Sequence, residues 1–212
     1  MSRLLTIGIN NHRRPSRLGR FASLLLMAVL TVCLSGCGVN TIPTLEEQAK
    51  AAWSEVLNQY QRRSDLIPNL VETVKGAAAF EKETLQAVIE ARSKATQTTL
   101  PADIVNNPEA FKKFEQNQSA LSSALSRLMV VVERYPDLKA NQNFLALQSQ
   151  LEGTENRITV ARRDYIEAVR KYNTELKTFP GRLWAMTLYS GHEPMQTFSI
   201  SDEAKEAPKI KF

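Results

Sequence analysis

The sequence predicts an all-α protein, an antiparallel four-helix bundle of long amphipathic helices behind an N-terminal hydrophobic leader. Three observations predict it. Apolar residues recur at three- and four-residue spacing through most of residues 45–179, which lines them along one stripe of a helix. The middle of the chain carries no alternating strand pattern. The connections between periodic stretches are short, which favours antiparallel neighbours. At 212 residues, 43% apolar and 23% charged, the chain has material for one core, and one domain suffices.

The leader comes first. Arg13, Arg14, Arg17 and Arg20 precede the uncharged, mostly apolar run Phe21–Leu34, and Ser35-Gly36-Cys37 follows. This is the basic, apolar, small-residue order of an export signal. As a helix, residues 21–36 would span about 24 Å at 1.5 Å per residue, short of the roughly 30 Å hydrocarbon core. Leu34-Ser35-Gly36-Cys37 resembles the bacterial lipobox, which makes Cys37 the lipidation site and the first residue of the mature chain. Two or three acyl chains, at about 0.8 kcal/mol per buried methylene, anchor a protein stably. The alternative is an uncleaved single-pass anchor with its arginines on the cytoplasmic side. Both readings export residues 38–212. The division that follows is a leader over residues 1–36, a tether over 37–43, a bundle over 44–190 and a C-terminal tail over 191–212.

Within the bundle, Thr44-Leu45-Glu46-Glu47 reads as a capping box with Thr44 as the N-cap. The stripe Leu45, Ala49, Ala52, Val56, Tyr60, Ile67, Leu70 and Val74 then runs to Pro68 and past it. A proline inside a helix forfeits the bond to the carbonyl four residues earlier, here Ser64. The pattern therefore predicts either a kink at Pro68 or a new start capped by Asp65, with a further break near residues 76–80. Ala77–Thr96 forms the next helix, with Phe80, Leu85, Val88 and Ala91 facing inward. Asn107-Pro108 has the order of an Asn cap before proline at the first helical position. It opens a helix with Phe111, Phe114, Gln118, Leu121, Leu125, Leu128 and Val132 on one stripe, only Gln118 being polar. A last helix runs from Asp137 to about Thr178, carrying Leu138, Leu145, Leu151, Ile158, Tyr165, Val169, Tyr172, Leu176 and Phe179, and Phe179-Pro180-Gly181 stops it.

Charge narrows the function. The formal charge is +5, but five basic residues and no acidic ones precede Cys37, which leaves 22 of each sign beyond it. A phosphate-backbone binder needs net positive charge on its folded domain, so nucleic acid is excluded as a partner. Both cysteines and His12 also lie in the first 37 residues, and His192 is the one histidine beyond them. Thiol and histidine chemistry have little material, and no metal or cofactor motif is present.

The segments Ala52-Trp53-Ser54 and Gln61-Arg62-Arg63-Ser64-Asp65-Leu66-Ile67-Pro68-Asn69-Leu70 through Gly76 resemble the opening motif of the LemA family. Tyr135-Pro136-Asp137-Leu138 through Phe144, Leu151-Glu152-Gly153-Thr154-Glu155-Asn156-Arg157-Ile158 and Ala161–Tyr165 resemble its later motifs, in order. The resemblance covers residues 45–190 and implies a four-helix bundle behind one hydrophobic segment. It implies a bacterial envelope protein without established enzymatic activity. Membrane metalloproteases or other membrane proteins are the implied partners, and a few relatives take part in organelle membrane formation. This chain departs at the lipobox, where many relatives keep a transmembrane helix, and at Ala77–Glu81, where many have Tyr and His.

The resulting reading is a non-enzymatic, membrane-anchored adaptor or scaffold for another membrane protein. Its candidate partner-binding patch is Arg62, Arg63, Asp65 and Glu72 beside the Pro68 bend. Arg157, Arg162, Arg163, Arg170 and Lys171 form a basic stripe diluted by Asp164, Glu167 and Glu175. Trp184, Met186, Leu188 and Tyr189 either close the bundle end or meet a partner. The alternatives are a self-assembling, membrane-shaping protein and a hydrolase built on Glu152 and Glu155, three apart on one helix face. Gly153 between them reads as a close helix approach.

Overall fold

A computed structural model describes residue 27 and residues 38–76, 81–97 and 104–198. The leader as a unit, Cys37, Phe80 and Ala204–Phe212 lie outside the described residues. Every regular element among the described residues is helical: α1 (Thr41–Lys75), α2 (Lys82–Gln97), a 3₁₀ turn (Ile104–Asn106), α3 (Pro108–Val132), α4 (Pro136–Lys139), α5 (Gln142–Lys177) and α6 (Gly181–Thr187). No helix among them is long and apolar enough to cross a membrane.

The start of α1 corrects the capping-box expectation. The helix begins at Thr41 behind Asn40, which makes no side-chain cap bond, and Thr44 lies inside it. Pro43 does not prevent this, because the amides of the first turn have no intrahelical acceptor in any case. Pro68 ends nothing either: α1 runs through it for 35 residues, about 52 Å at 1.5 Å per residue. The carbonyl that Pro68 orphans, Ser64 O, accepts instead from Arg92 Nε of α2 at 2.9 Å. A tertiary hydrogen bond thus stands in for the missing helical one.

Asn107 caps α3 as the sequence predicts, accepting from the amides of Glu109 and Ala110. The last long helix is later and shorter than its pattern suggests. Asn141 accepts from Asn143 N and Phe144 N and starts α5 at Gln142, leaving Pro136–Lys139 as a separate turn. The cap turns the register so that Phe144 is buried and Leu145 is 42% exposed. Phe179, read as inward, is 84% exposed, because α5 ends at Lys177 and Phe179 falls in the following turn. Gly153 is exposed and a Cβ there would meet nothing within 4 Å, so it marks no close approach.

α1 packs chiefly along α5, and α2 along α3. α1 and α5 are antiparallel, since Trp53 meets Tyr165 while Arg63 meets Glu155. α2 and α3 are antiparallel too, Gln118 reaching Ala95 O and Arg134 reaching Glu81 at the other end. The core forms two apolar clusters. One gathers Trp53, Tyr60, Phe111, Phe114, Tyr165 and Tyr172, and the other Ile67, Leu70, Val88, Leu121, Leu128 and Phe144. Between them lie the buried polar residues Arg63, Ser64, Gln118 and Thr154.

Beyond α5 the chain stays with the domain. Within the segment read as a tail, residues 192–198 pack as an extended strap with Met195 and Phe198 buried. Asn173 holds Met195 both ways, donating to its carbonyl at 2.9 Å and accepting from its amide at 3.0 Å. Tyr165 donates to Gln196 O at 2.7 Å.

Two stability predictions follow from these helices. Arg92→Met costs about 1–3 kcal/mol in denaturant unfolding, the penalty of an unsatisfied buried acceptor. In a Pro68→Ala background, where the backbone can satisfy Ser64 O, the same change costs much less; equal costs in both would refute the substitution of one bond for the other. Gly153→Ala stabilises by about 0.5–1 kcal/mol, the helix-interior advantage of alanine with no clash to offset it.

Candidate functional site

The polar layer between the clusters opens on the surface. An open groove of about 910 Å³ runs between α3 and α5, with Tyr60 and Arg63 of α1 at its floor. Lys112, Glu115, Ser119 and Ser122 line it from α3, Glu155, Ile158 and Arg162 from α5, and Gln196 to Phe198 of the strap from its end. A smaller hollow of about 290 Å³ touches the same layer between α1, α2 and α3, at Ser64 and Gln118.

Arg63 organises the floor. Its side chain is 1% exposed. Nη1 donates to Glu155 Oε1 at 2.6 Å and to Ser122 Oγ at 2.8 Å, and Nη2 donates to Gln118 Oε1 at 2.6 Å. One guanidinium therefore joins α1, α3 and α5, its planar fork directing Nη1 to two acceptors and Nη2 to a third. The guanidinium carbon also lies 5.0 Å from the Tyr60 ring centroid. Burial raises the Tyr60 phenol above its ordinary range. Arg63 Nε and Ser64 Oγ have no protein partner.

The strap end of the groove is aromatic. Phe198 packs against Phe111, Tyr165 and Trp53 with ring centroids 5.2, 5.7 and 6.0 Å apart. Arg162 covers its other face at 4.2 Å. Burial raises the Tyr165 phenol strongly, and its hydroxyl donates to Gln196 O.

The four residues of the sequence-predicted patch are not on one face. Arg62, Asp65 and Glu72 are exposed, Asp65 accepting from Gln61 at 2.7 Å and Glu72 pairing with Lys75 at 2.8 Å. Arg63 turns inward. Helical geometry separates neighbours by 100°, so adjacent Arg62 and Arg63 share no face. Glu152 and Glu155 diverge as well: Glu155 binds Arg63 in the groove, and Glu152, exposed, accepts from Gln148 at 3.0 Å. In the basic stripe, Arg163 pairs with Asp164, and Arg170 and Lys171 with Glu167. No three His, Cys, Asp or Glu side chains among the described residues are grouped as metal ligands. Sequence reasoning missed Ser122, Asn173 and Phe198. Gln118 was visible as the one polar position in an apolar stripe, which is the signal of a buried acceptor.

The sequence profile of the LemA family matches residues 52–212. The magnetosome protein MamQ 2 of Paramagnetospirillum magneticum is 27% identical over 188 residues, covering 78% of this chain and 69% of that protein. The magnetosome protein MamQ of Magnetospirillum gryphiswaldense is 24% identical over 194 residues, covering 81% and 71%. Protein LemA of Metamycoplasma hominis is 26% identical over 119 residues, covering 56% of this chain and 50% of that protein.

The pairing at the groove floor orders two substitutions. Glu155→Ala leaves a buried guanidinium uncompensated and costs about 3 kcal/mol, the low end for a broken buried pair because Glu155 itself is 44% exposed. Arg63→Met costs about 1–3 kcal/mol, since Glu155 can rehydrate and the main loss is the buried Gln118 acceptor left without its donor. Denaturant unfolding measures both, and the reverse order would show that the carboxylate does not balance the arginine.

Proposed function

The chain belongs to the LemA family, and from that membership we propose that it is a membrane-associated protein of the bacterial cell envelope that works as an adaptor or scaffold for another membrane protein. On this reading it is exported and held by lipid on Cys37, and its four long helices form one antiparallel bundle. It carries out no reaction of its own. Two relatives named as magnetosome proteins and one named LemA are consistent with a membrane setting.

The observation that carries the adaptor reading is the groove between α3 and α5. It is open along one side, the shape that admits a segment of another polypeptide rather than enclosing a small molecule. Its rim carries Lys112 and Glu115 from α3 and Arg162 from α5, giving charge of both signs to a partner. The carboxylate at its floor is engaged by Arg63 and does not face Glu152. A partner from the envelope, a membrane metalloprotease or another membrane protein, matches what the family resemblance implies.

Crosslinking in living cells tests the reading. The intact chain captures one membrane protein. A groove-rim variant, Lys112→Glu with Arg162→Glu, loses that capture, whereas an outer-face variant, Arg62→Glu with Asp65→Lys, retains it. Circular dichroism of each variant separates lost binding from lost fold. Capture of only the same chain would overturn the adaptor reading in favour of a self-assembling scaffold, and loss in the outer-face variant alone would move the contact to the exposed side of α1.

A further inference from the structure

Four large apolar side chains crowd the end of the domain beyond α5. Phe179 is 84% exposed, Leu183 49%, Met186 70% and Leu188 63%, all within ten residues. Exposed apolar residues scattered singly need no explanation, but four within one short stretch at one end of the domain mark a contact surface.

The fold holds this group in place. Gly181 is buried, and a Cβ there would overlap the carbonyl oxygen of Glu175, so the chain turns back tightly against the end of α5. From the same stretch, Trp184 and Tyr189 pack inward on the cluster that contains Ile42 and Tyr172. α6 therefore has one face fixed by the core and one face bare. Lys177 and Arg182, both exposed, stand in the same stretch of chain and have long stems of the kind that reach phosphates at a membrane surface.

Position says what covers it. α6 packs on both α5 and α1, and His192 Nε2 lies 3.0 Å from Glu46 in the second turn of α1. The apolar group is thus at the end of the domain where α1 begins. Three residues separate Cys37 from Thr41, and the four Cα-to-Cα steps between them span at most about 14 Å when extended.

We propose that this end of the domain rests on the membrane, with Phe179, Leu183, Met186 and Leu188 entering the zone between phospholipid headgroups and acyl chains. The partner is a lipid bilayer surface. The inference rests on the anchored reading above, which holds the start of α1 near the bilayer. Seating is shallow, on the order of 5–10 Å, as for other interfacial helices.

The test uses the full chain in cell membranes, with a benzophenone amino acid placed at position 179, 186 or 130. Val130 is the control, 70% exposed and apolar but near the end of α3, where Arg134 meets Glu81. Irradiation is expected to give phospholipid adducts, read by mass, at 179 and 186 and none at 130. Leu183→Glu is expected to abolish the adduct at 186. A chain that sediments with membranes yet gives no lipid adduct at 179 or 186, or only protein adducts there, overturns the proposal and leaves the anchor standing. A chain that stays in the soluble fraction overturns the anchored reading and the proposal with it.

Discussion

The guanidinium of Arg63 is the constraint around which the helices are arranged. It sits in the seam between two apolar clusters, where burial of an unpaired charge would be prohibitive. Its partners must therefore arrive from the neighbouring helices at one height: Glu155 from α5 and Gln118 and Ser122 from α3. Apolar contacts are non-directional and tolerate a sliding helix. A fork with bonds of 2.6–2.8 Å to three side chains does not. A shift of one turn in α5 would move Glu155 by about 5.4 Å and leave the charge buried alone. Arg63 thus fixes the register that Trp53 and Tyr165 then fill with packing.

The same turn of α1 contains the second constraint. Pro68 removes one backbone bond and Arg92 of α2 supplies another, its guanidinium Nε donating to Ser64 O. Within six residues, α1 is tied to α5 and α3 by Arg63 and to α2 by the carbonyl of Ser64. This accounts for why Arg63, Ser64 and Pro68 stand so close in sequence: one short stretch meets all three long partners. The groove is a consequence. Polar side chains of differing length meet across the seam between α3 and α5 without closing it.

Much of the fold was legible in the residues, and the failures are local and physical. The stripe Phe111, Phe114, Leu121, Leu125, Leu128 and Val132 is buried as its spacing implied. The helix starts were less legible. Thr44 has the right neighbours for a cap, yet Asn40 begins the helix because Pro43 is harmless in a first turn. Asn141, inside an apparently continuous pattern, starts α5 and exchanges Leu145 for Phe144 in the core. Charge and motif singled out Arg62, Arg63, Asp65 and Glu72 as one patch, and of these the fold turns only Arg63 into the groove. Adjacency in sequence is not adjacency on a helix surface, so Arg62 and Asp65 face water.

By itself, the sequence determined the helical class, the family and the charge balance beyond residue 37. These rest on periodicity, composition and contiguous motifs, which are properties of the chain alone. Tertiary structure decided what no local pattern encodes. It turned Arg63 inward, gave Ser64 O its partner across 28 residues, folded residues 192–198 back onto Asn173 and Tyr165, and left Phe179 bare at the end where α1 begins. Each of these depends on which helix stands opposite, and that is set by packing between residues far apart in the chain.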